Sequence, residues 1–219
     1  MTKEYFVAMP TRNSELYNKD YDYQVLGFIA SHSNFDNAKD AGYDKNIFYG
    51  ETWTYFNKLD FGGYGMKNNS TFEKKIKKML DIDDSLLSIE NRHGELIYRI
   101  DYAKEGKYFV RIHHEILKAL IKGTNKDVIK LYCWFSYMLL DGNKQISEGF
   151  IAEKFNWSRA TVSSRIKILV ALGLIKRDLK PTPKSVLKTN SVTMKTYITK
   201  EYEYSLVDFY TWKQFYNSL

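Results

Sequence analysis

The sequence predicts a mainly helical α+β fold built from two tandem copies of one unit. Two observations predict it. Similar apolar strings recur in the same order in both halves of the chain, and each half closes with two strand-like segments around a polar turn or loop. The chain has 219 residues, which is enough for two domains of about 100 residues each. Its hydrophobic fraction of 44% is typical of a packed globular protein.

Each copy is predicted to begin with a strand, followed by a helix. The strands are the similar strings Tyr5–Met9 (YFVAM) and Tyr108–Ile112 (YFVRI). An apolar helix follows each strand, and we place the one in the second copy at Asp127–Leu140. A second helix is expected at Gly50–Asp60 in the first copy and at Ser147–Phe155 in the second.

The third helix of each copy has the clearest periodicity. Residues 68–82 and 158–172 align so that apolar residues at i, i+4 and i+7 coincide, which predicts one buried stripe on each helix. The stripes consist of Phe72, Ile76 and Met79 in the first copy and of Val162, Ile166 and Leu169 in the second.

A two-stranded hairpin is predicted after each third helix. In the first copy, Leu86–Glu90 and Glu95–Ile100 flank the polar turn NRHG. In the second copy, Leu174–Lys180 and Val192–Thr199 flank a loop that starts at Pro181, since proline cannot donate to a strand ladder. The predicted domains are therefore residues 1–103 and 104–200, with an aromatic helix at 201–219.

The net charge of +7 is unevenly distributed along the chain. Residues 154–188 contain nine Lys or Arg and one acid, and residues 66–80 contain five Lys and one acid. The combined net positive charge of these two segments is larger than the net charge of the whole chain. Such concentration favours a polyanionic partner over an ordinary solvated surface.

The third helix of the second copy has the residue pattern of a DNA-reading helix. Ser158 is placed to cap it by accepting a hydrogen bond from the amide near Thr161. Short side chains near the helix start and longer cations lie opposite the apolar stripe, where they can reach base edges or phosphates. These outward residues are Arg159, Ala160, Ser163, Ser164 and Lys167. Arg159 is suited to pair with guanine through two hydrogen bonds.

This order of helix, turn, reading helix and hairpin resembles the winged helix-turn-helix superfamily over residues 126–199. The resemblance implies that Asn156-Trp157 forms the turn and that the hairpin, called the wing, contacts phosphates or the minor groove. The implied partner is double-stranded DNA. The implied contacts are Ser158, Arg159, Ala160, Thr161, Ser163, Ser164, Lys167, Lys176, Arg177, Lys180, Lys184 and Lys188.

The first copy is expected to contact DNA less directly. The outward residues of its third helix are Asn69, Ser70, Lys74 and Lys77, which we predict as auxiliary DNA contacts. Glu73 faces the same way and would repel phosphate. Formation of a homodimer or contact with the DNA backbone is therefore the expected role of this copy.

Neither an enzyme nor a metal protein is predicted, and no cofactor or small-molecule substrate is expected. His113 and His114 are adjacent, so their side chains diverge, and no third ligand has useful spacing. The single cysteine, Cys133, excludes an internal disulfide. The apolar run Val128–Leu140 is too short to span a membrane. The first ten residues lack the apolar core of a signal peptide, so a cytoplasmic location is expected.

The tandem arrangement resembles the replication initiator proteins of plasmids and phages. In that family one copy mainly mediates dimerisation and the other reads repeated origin sequences. The resemblance implies a role in DNA replication. A transcriptional repressor and an accessory protein of a conjugative transfer origin need the same reading helix, so both stay open. A protein-interaction module with the same helical core is the alternative from another class.

Overall fold

The computed structural model of the chain describes residues 6–11, 20–32, 51–101, 109–181, 188–189, 196–197 and 200–218. Of residues 51–53, 181, 188–189, 196–197 and 200 it describes the backbone only. The described residues form helices and small antiparallel sheets, which confirms the predicted mixed α+β class. The chain divides into two compact units, Met1–Tyr137 and Met138–Leu219.

The boundary between the units differs from the predicted one between residues 103 and 104. The two similar strings are antiparallel partners in one sheet: β1 (Phe6–Pro10) pairs with β5 (Phe109–His113), and Val7 lies opposite Ile112. Paired strands belong to the same unit. The segment that was expected to open the second domain therefore completes the first.

In the described part of the first unit there are four α-helices: α1 (Tyr23–Ser31), α2 (Ser70–Leu80), α3 (His114–Gly123) and α4 (Lys126–Met138), the last of which ends just beyond the unit. Helix α1 is buried from Val25 to Ala30 and packs against β1 and α3. An Asp22 carboxylate oxygen caps it by accepting from two amides at 3.1 Å. Helix α3 was not predicted from the sequence.

A three-stranded antiparallel sheet completes the first unit. Its strands are β2 (Glu51–Tyr55), β3 (Leu87–Arg92) and β4 (Glu95–Asp101), in the order β2-β4-β3. The predicted hairpin is therefore confirmed, with a tighter turn than expected. Only His93 and Gly94 form it, and both have positive φ, 52° and 84°, as a two-residue hairpin turn requires.

The helix expected at Gly50–Asp60 is wrong. Its segment ETWTY is strand β2, followed by a 3-10 turn at Phe56–Lys58. Alternating threonine and aromatic residues favour a pleated strand, and β4 supplies the hydrogen-bonding partner, with Thr54 opposite Tyr98.

The described residues of the second unit form three helices and a second three-stranded sheet. The helices are α5 (Glu148–Phe155), α6 (Arg159–Ala171) and α7 (Phe209–Tyr216). The strands are β6 (Lys144–Gln145), β7 (Ile175–Pro181) and β10 (Lys200–Leu206), in the order β6-β10-β7. In addition, β8 (Lys188–Thr189) pairs with β9 (Thr196–Tyr197).

The hairpin of the second unit differs from the predicted one. The partner of β7 is β10, whereas Val192–Thr199 was expected to return beside it. Residues 201–206 are consequently strand, and the predicted aromatic helix is confined to α7. Pro181 ends β7 and is not part of the loop. It is tolerated there because β7 is an edge strand of its sheet.

Lys130 on α4 is only 8% exposed, and burial lowers the pKa of its ammonium group to about 8. The folded chain therefore penalises the charged form below pH 8, and the penalty fades as pH rises toward the ordinary value of 10.5. We expect Lys130→Met to stabilise the protein by about 1–3 kcal/mol at pH 7. In urea titrations, the difference in free energy of unfolding between Lys130→Met and the wild-type chain should decrease between pH 8 and 10. A difference that stays constant over that range would contradict the lowered pKa of Lys130.

Among the described residues, no helix combines the length and apolar character needed to cross a membrane.

Candidate nucleic-acid interface

Helices α5 and α6 are joined by a short turn. Asn156 ends α5 in the left-handed region, with φ 53° and ψ 45°. The ring of Trp157 stacks on that of Phe155, with centroids 4.6 Å apart. The Ser158 hydroxyl then accepts a hydrogen bond from the amide of Thr161 at 3.1 Å, so the predicted cap is confirmed.

The inner face of α6 is fully buried. Val162, Ile166 and Leu169 are each 0% exposed, as the periodicity predicts. Ile151 and Phe155 of α5 are buried as well, and α5 and α6 pack against each other. The corresponding stripe of α2 in the first unit, Phe72, Ile76 and Met79, is also buried. Each stripe fixes which side of its helix faces outward.

The outer face of α6 carries the predicted readers. Arg159, Ala160, Ser164 and Lys167 are exposed, and Ser163 is partly exposed. Lys167 lies eight residues after Arg159, about 12 Å further along the helix axis. The face therefore presents one cation at the helix start, hydroxyl groups behind it and a second cation beyond them. Such a surface can donate hydrogen bonds to base edges and phosphates along a groove.

Two of the predicted contacts take part in the helix cap. The hydroxyl groups of Ser158 and Thr161 are 2.9 Å apart and share a hydrogen bond. The Ser158 oxygen also accepts from the backbone. Both side chains are thus used to start α6, although Ser158 remains exposed.

Arg177, a predicted wing contact, instead joins the sheet to α5. Its guanidinium forms an ion pair with Glu148 and stacks on the Tyr202 ring, 3.5 Å from the centroid. Only 15% of the Arg177 side chain is exposed. Because the ion-pair partner and the stacked ring both belong to the second unit, we expect Arg177 to hold β7 in place and not to contact DNA.

The β7–β10 hairpin is less basic than the concentration of Lys and Arg in residues 154–188 suggests. Residues directly opposite on antiparallel strands share a face, and Lys180 lies opposite Glu201, while Asp178 lies opposite Glu203. Lys176 and Lys180 therefore share their face with three acids. Lys184 lies outside the described residues, as does the side chain of Lys188. Their predicted wing contacts remain predictions.

In the first unit, two of the four lysines in residues 74–78 (KKIKK) form ion pairs with acids of the same unit. Lys75 forms an ion pair with Asp22 at 2.9 Å, and Lys78 forms one with Asp20. Hydrogen bonds from Lys126 and Lys78 lower the pKa of Asp20 to about 2. Asn69 caps α2 by accepting from the amides of Thr71 and Phe72. All four predicted auxiliary residues, Asn69, Ser70, Lys74 and Lys77, are exposed.

The adjacent histidines have structural partners in the first unit. His113 caps α3, its Nδ1 accepting from the amide of Glu115 at 3.2 Å. His114 Nε2 lies 2.6 Å from the hydroxyl of buried Tyr64. Burial, and then the nearby charge of Lys118, lower the pKa of His114. Within the described ranges, no group of three or more His, Cys, Asp or Glu is arranged to hold a metal ion.

Helix α7 covers the end of α6. Trp212 is 2% exposed, and its Nε1–H donates to the carbonyl oxygen of Leu172 at 3.1 Å. Its ring stacks on Tyr216 with centroids 4.9 Å apart. The aromatic C-terminal segment thus packs on apolar surface of its own chain, while Tyr210 stays 65% exposed.

Comparison with family models, with curated proteins and with solved structures finds no match. The function of the chain is therefore inferred from its own geometry.

Two residues at this surface were not predicted from the sequence. Glu148 holds Arg177, and Gly149 lies beside the guanidinium of Arg159. Both are at the start of α5, which the turn brings next to the start of α6. No sequence motif marks them, because their proximity to the two arginines arises only from tertiary packing.

Proposed function

We propose that this protein binds double-stranded DNA sequence-specifically, with α6 lying in the major groove. The supporting observation is the outward placement of Arg159, Ser163 and Lys167 on a helix whose opposite face is fully buried. Arg159 at the start of the helix would pair with guanine, and Lys167 would contact phosphate.

We also propose that the second unit is the reading part of a winged helix-turn-helix domain. The first helix of the predicted domain, Asp127–Leu140, corresponds to α4, which lies almost wholly in the first unit. The turn at Asn156, the cap at Ser158 and the long hairpin from β7 to β10 support this interpretation. So does the sheet order, in which the strand before α5 lies next to the last strand of the hairpin. The first unit has the equivalent order β2-β4-β3, which supports a tandem arrangement.

Among DNA-bound roles, the tandem arrangement favours a protein similar to plasmid or phage replication initiators. In this proposal α6 reads repeated origin sites. The first unit serves mainly in dimerisation or backbone contact, since half of its KKIKK lysines are already paired with Asp20 and Asp22. Footprinting on the host element would reveal direct repeats if the role is initiation and a single operator beside a promoter if it is repression.

Salt dependence tests the proposal most directly. A preferred duplex would first be selected from a random pool of duplexes of about three helical turns, and binding measured by fluorescence anisotropy. We expect affinity to fall roughly 100-fold between 50 and 200 mM salt if about four phosphates are neutralised.

The matched control is Lys167→Ala, which should reduce the logarithmic salt slope by about 0.9. Failure of any duplex to be selected would exclude DNA binding and favour the protein-interaction module. A flat salt response on a selected duplex would contradict the phosphate contacts in this proposal.

A further inference from the structure

The guanidinium of Arg159 lies close to Gly149 at the start of α5. A methyl group placed on Gly149 would be 3.2 Å from Nη2, 3.5 Å from Nε and 3.6 Å from Cζ of Arg159. The shortest of these distances is tighter than ordinary van der Waals contact. Any side chain at position 149 would therefore push the guanidinium away from its present place.

We propose that Gly149 is a positioning residue for base recognition and that it sets the preference at the base pair contacted by Arg159. This inference rests on the proposed function. Pairing of a guanidinium with guanine through two hydrogen bonds depends on the orientation of a rigid planar group. Such recognition requires the group to be held within about 0.5 Å of its productive position, so a side chain that displaces the guanidinium further weakens both hydrogen bonds.

The surface under Arg159 is itself held in place. Glu148, the neighbour of Gly149, forms the ion pair with Arg177 of β7, and the Arg177 guanidinium stacks on Tyr202 of β10. The start of α5 is thus tied to the sheet. Gly149 consequently offers a fixed backbone surface, and the side chain of Arg159 rests on it.

If Gly149 were needed for folding, replacing it with alanine would lower stability, whereas a positioning role predicts loss of base discrimination without loss of stability. No unusual φ is present at Gly149, and glycine is a poorer helix former than alanine. Alanine at this position should leave α5 at least as stable as before. A loss of base discrimination in a chain that is equally or more stable would therefore identify positioning as the role.

The experiment compares Gly149→Ala and Gly149→Leu with the wild-type chain on the selected duplex and on duplexes that carry single base-pair changes. We expect Gly149→Leu to lose about 10-fold discrimination at one base pair and Gly149→Ala to lose less. That base pair should be the one identified by Arg159→Ala. Binding to an unrelated duplex should change by less than a factor of about two, because phosphate contacts carry no sequence information.

Two further variants separate the outcomes. Gly149→Leu combined with Arg159→Ala should be no worse than Arg159→Ala alone, since the affected group is already gone. Gly123→Ala, where an added methyl meets nothing within 4 Å, should behave as wild type. Retained discrimination in Gly149→Leu would overturn the positioning role and leave the proposed function standing. Absence of any base preference in the wild-type chain would overturn the proposed function itself.

Discussion

Arg159→Ala is expected to weaken binding to the preferred duplex by about 10- to 100-fold, corresponding to roughly 1–3 kcal/mol. Arg159 is exposed at the first position of α6, where a reading helix approaches base edges most closely. Alanine removes both donors of a two-hydrogen-bond contact. Competition binding at one fixed salt concentration, with each base pair varied in turn, would locate the affected position.

Lys167→Ala provides the contrast on the same helix face. Lys167 is exposed two turns further along α6, where a single cation is suited to phosphate, so its loss should weaken all duplexes by a similar factor. The ratio of the affinity for the preferred duplex to the affinity for an unrelated duplex should then fall only in Arg159→Ala. If both variants changed that ratio equally, the division between base reading and phosphate contact on α6 would be wrong.

Trp212→Ala should destabilise the second unit by about 3–5 kcal/mol, the usual cost of truncating a buried tryptophan. Its ring is 2% exposed, stacks on Tyr216 and donates to the carbonyl of Leu172 at the end of α6. This loss is a large share of the total stability of an ordinary domain. Hydrogen exchange measured on peptides from α5 and α6 should show faster exchange, and DNA affinity should fall with it.

Two variants calibrate that result. Trp212→Phe keeps an aromatic ring but removes the Nε1–H donor, so a cost of about 1 kcal/mol or somewhat more is expected. Tyr210→Ala, at a side chain that is 65% exposed, should change stability little. Unchanged exchange in Trp212→Ala would show that α7 does not stabilise α6, and the helix would then be available for a second protomer or another partner.

Local patterns in the sequence predicted helix α6 well. The stripe Val162, Ile166 and Leu169 follows from helical periodicity, and the Ser158 cap and the turn at Asn156 depend on a few neighbouring residues. The hairpin around His93-Gly94 is equally local. Each of these features is decided within about ten residues, so the sequence contains the information directly.

Features that depend on pairing between distant segments were not predicted. The similar strings that suggested two domain starts are partners in one sheet. A strand-like string does not specify which other strand it will join, because pairing is settled by the whole unit. For the same reason, residues 201–206 were expected in a helix, whereas they belong to β10. Helix α3 is a different case, because its buried residues Ile116, Leu117, Leu120 and Ile121 have helical spacing that the sequence does show.

The sequence by itself determined that residues 159–171 form a capped amphipathic helix with one buried face and cations on the exposed face. This follows because spacing along a helix decides which residues share a face. Only the tertiary structure decided which cations remain available. It placed Arg177 against Glu148 and Tyr202, set Lys180 opposite Glu201, and laid Arg159 over Gly149. Electrostatic and steric partners depend on distance in space, and residues as far apart as 177 and 148 become neighbours only when the strands and helices have packed.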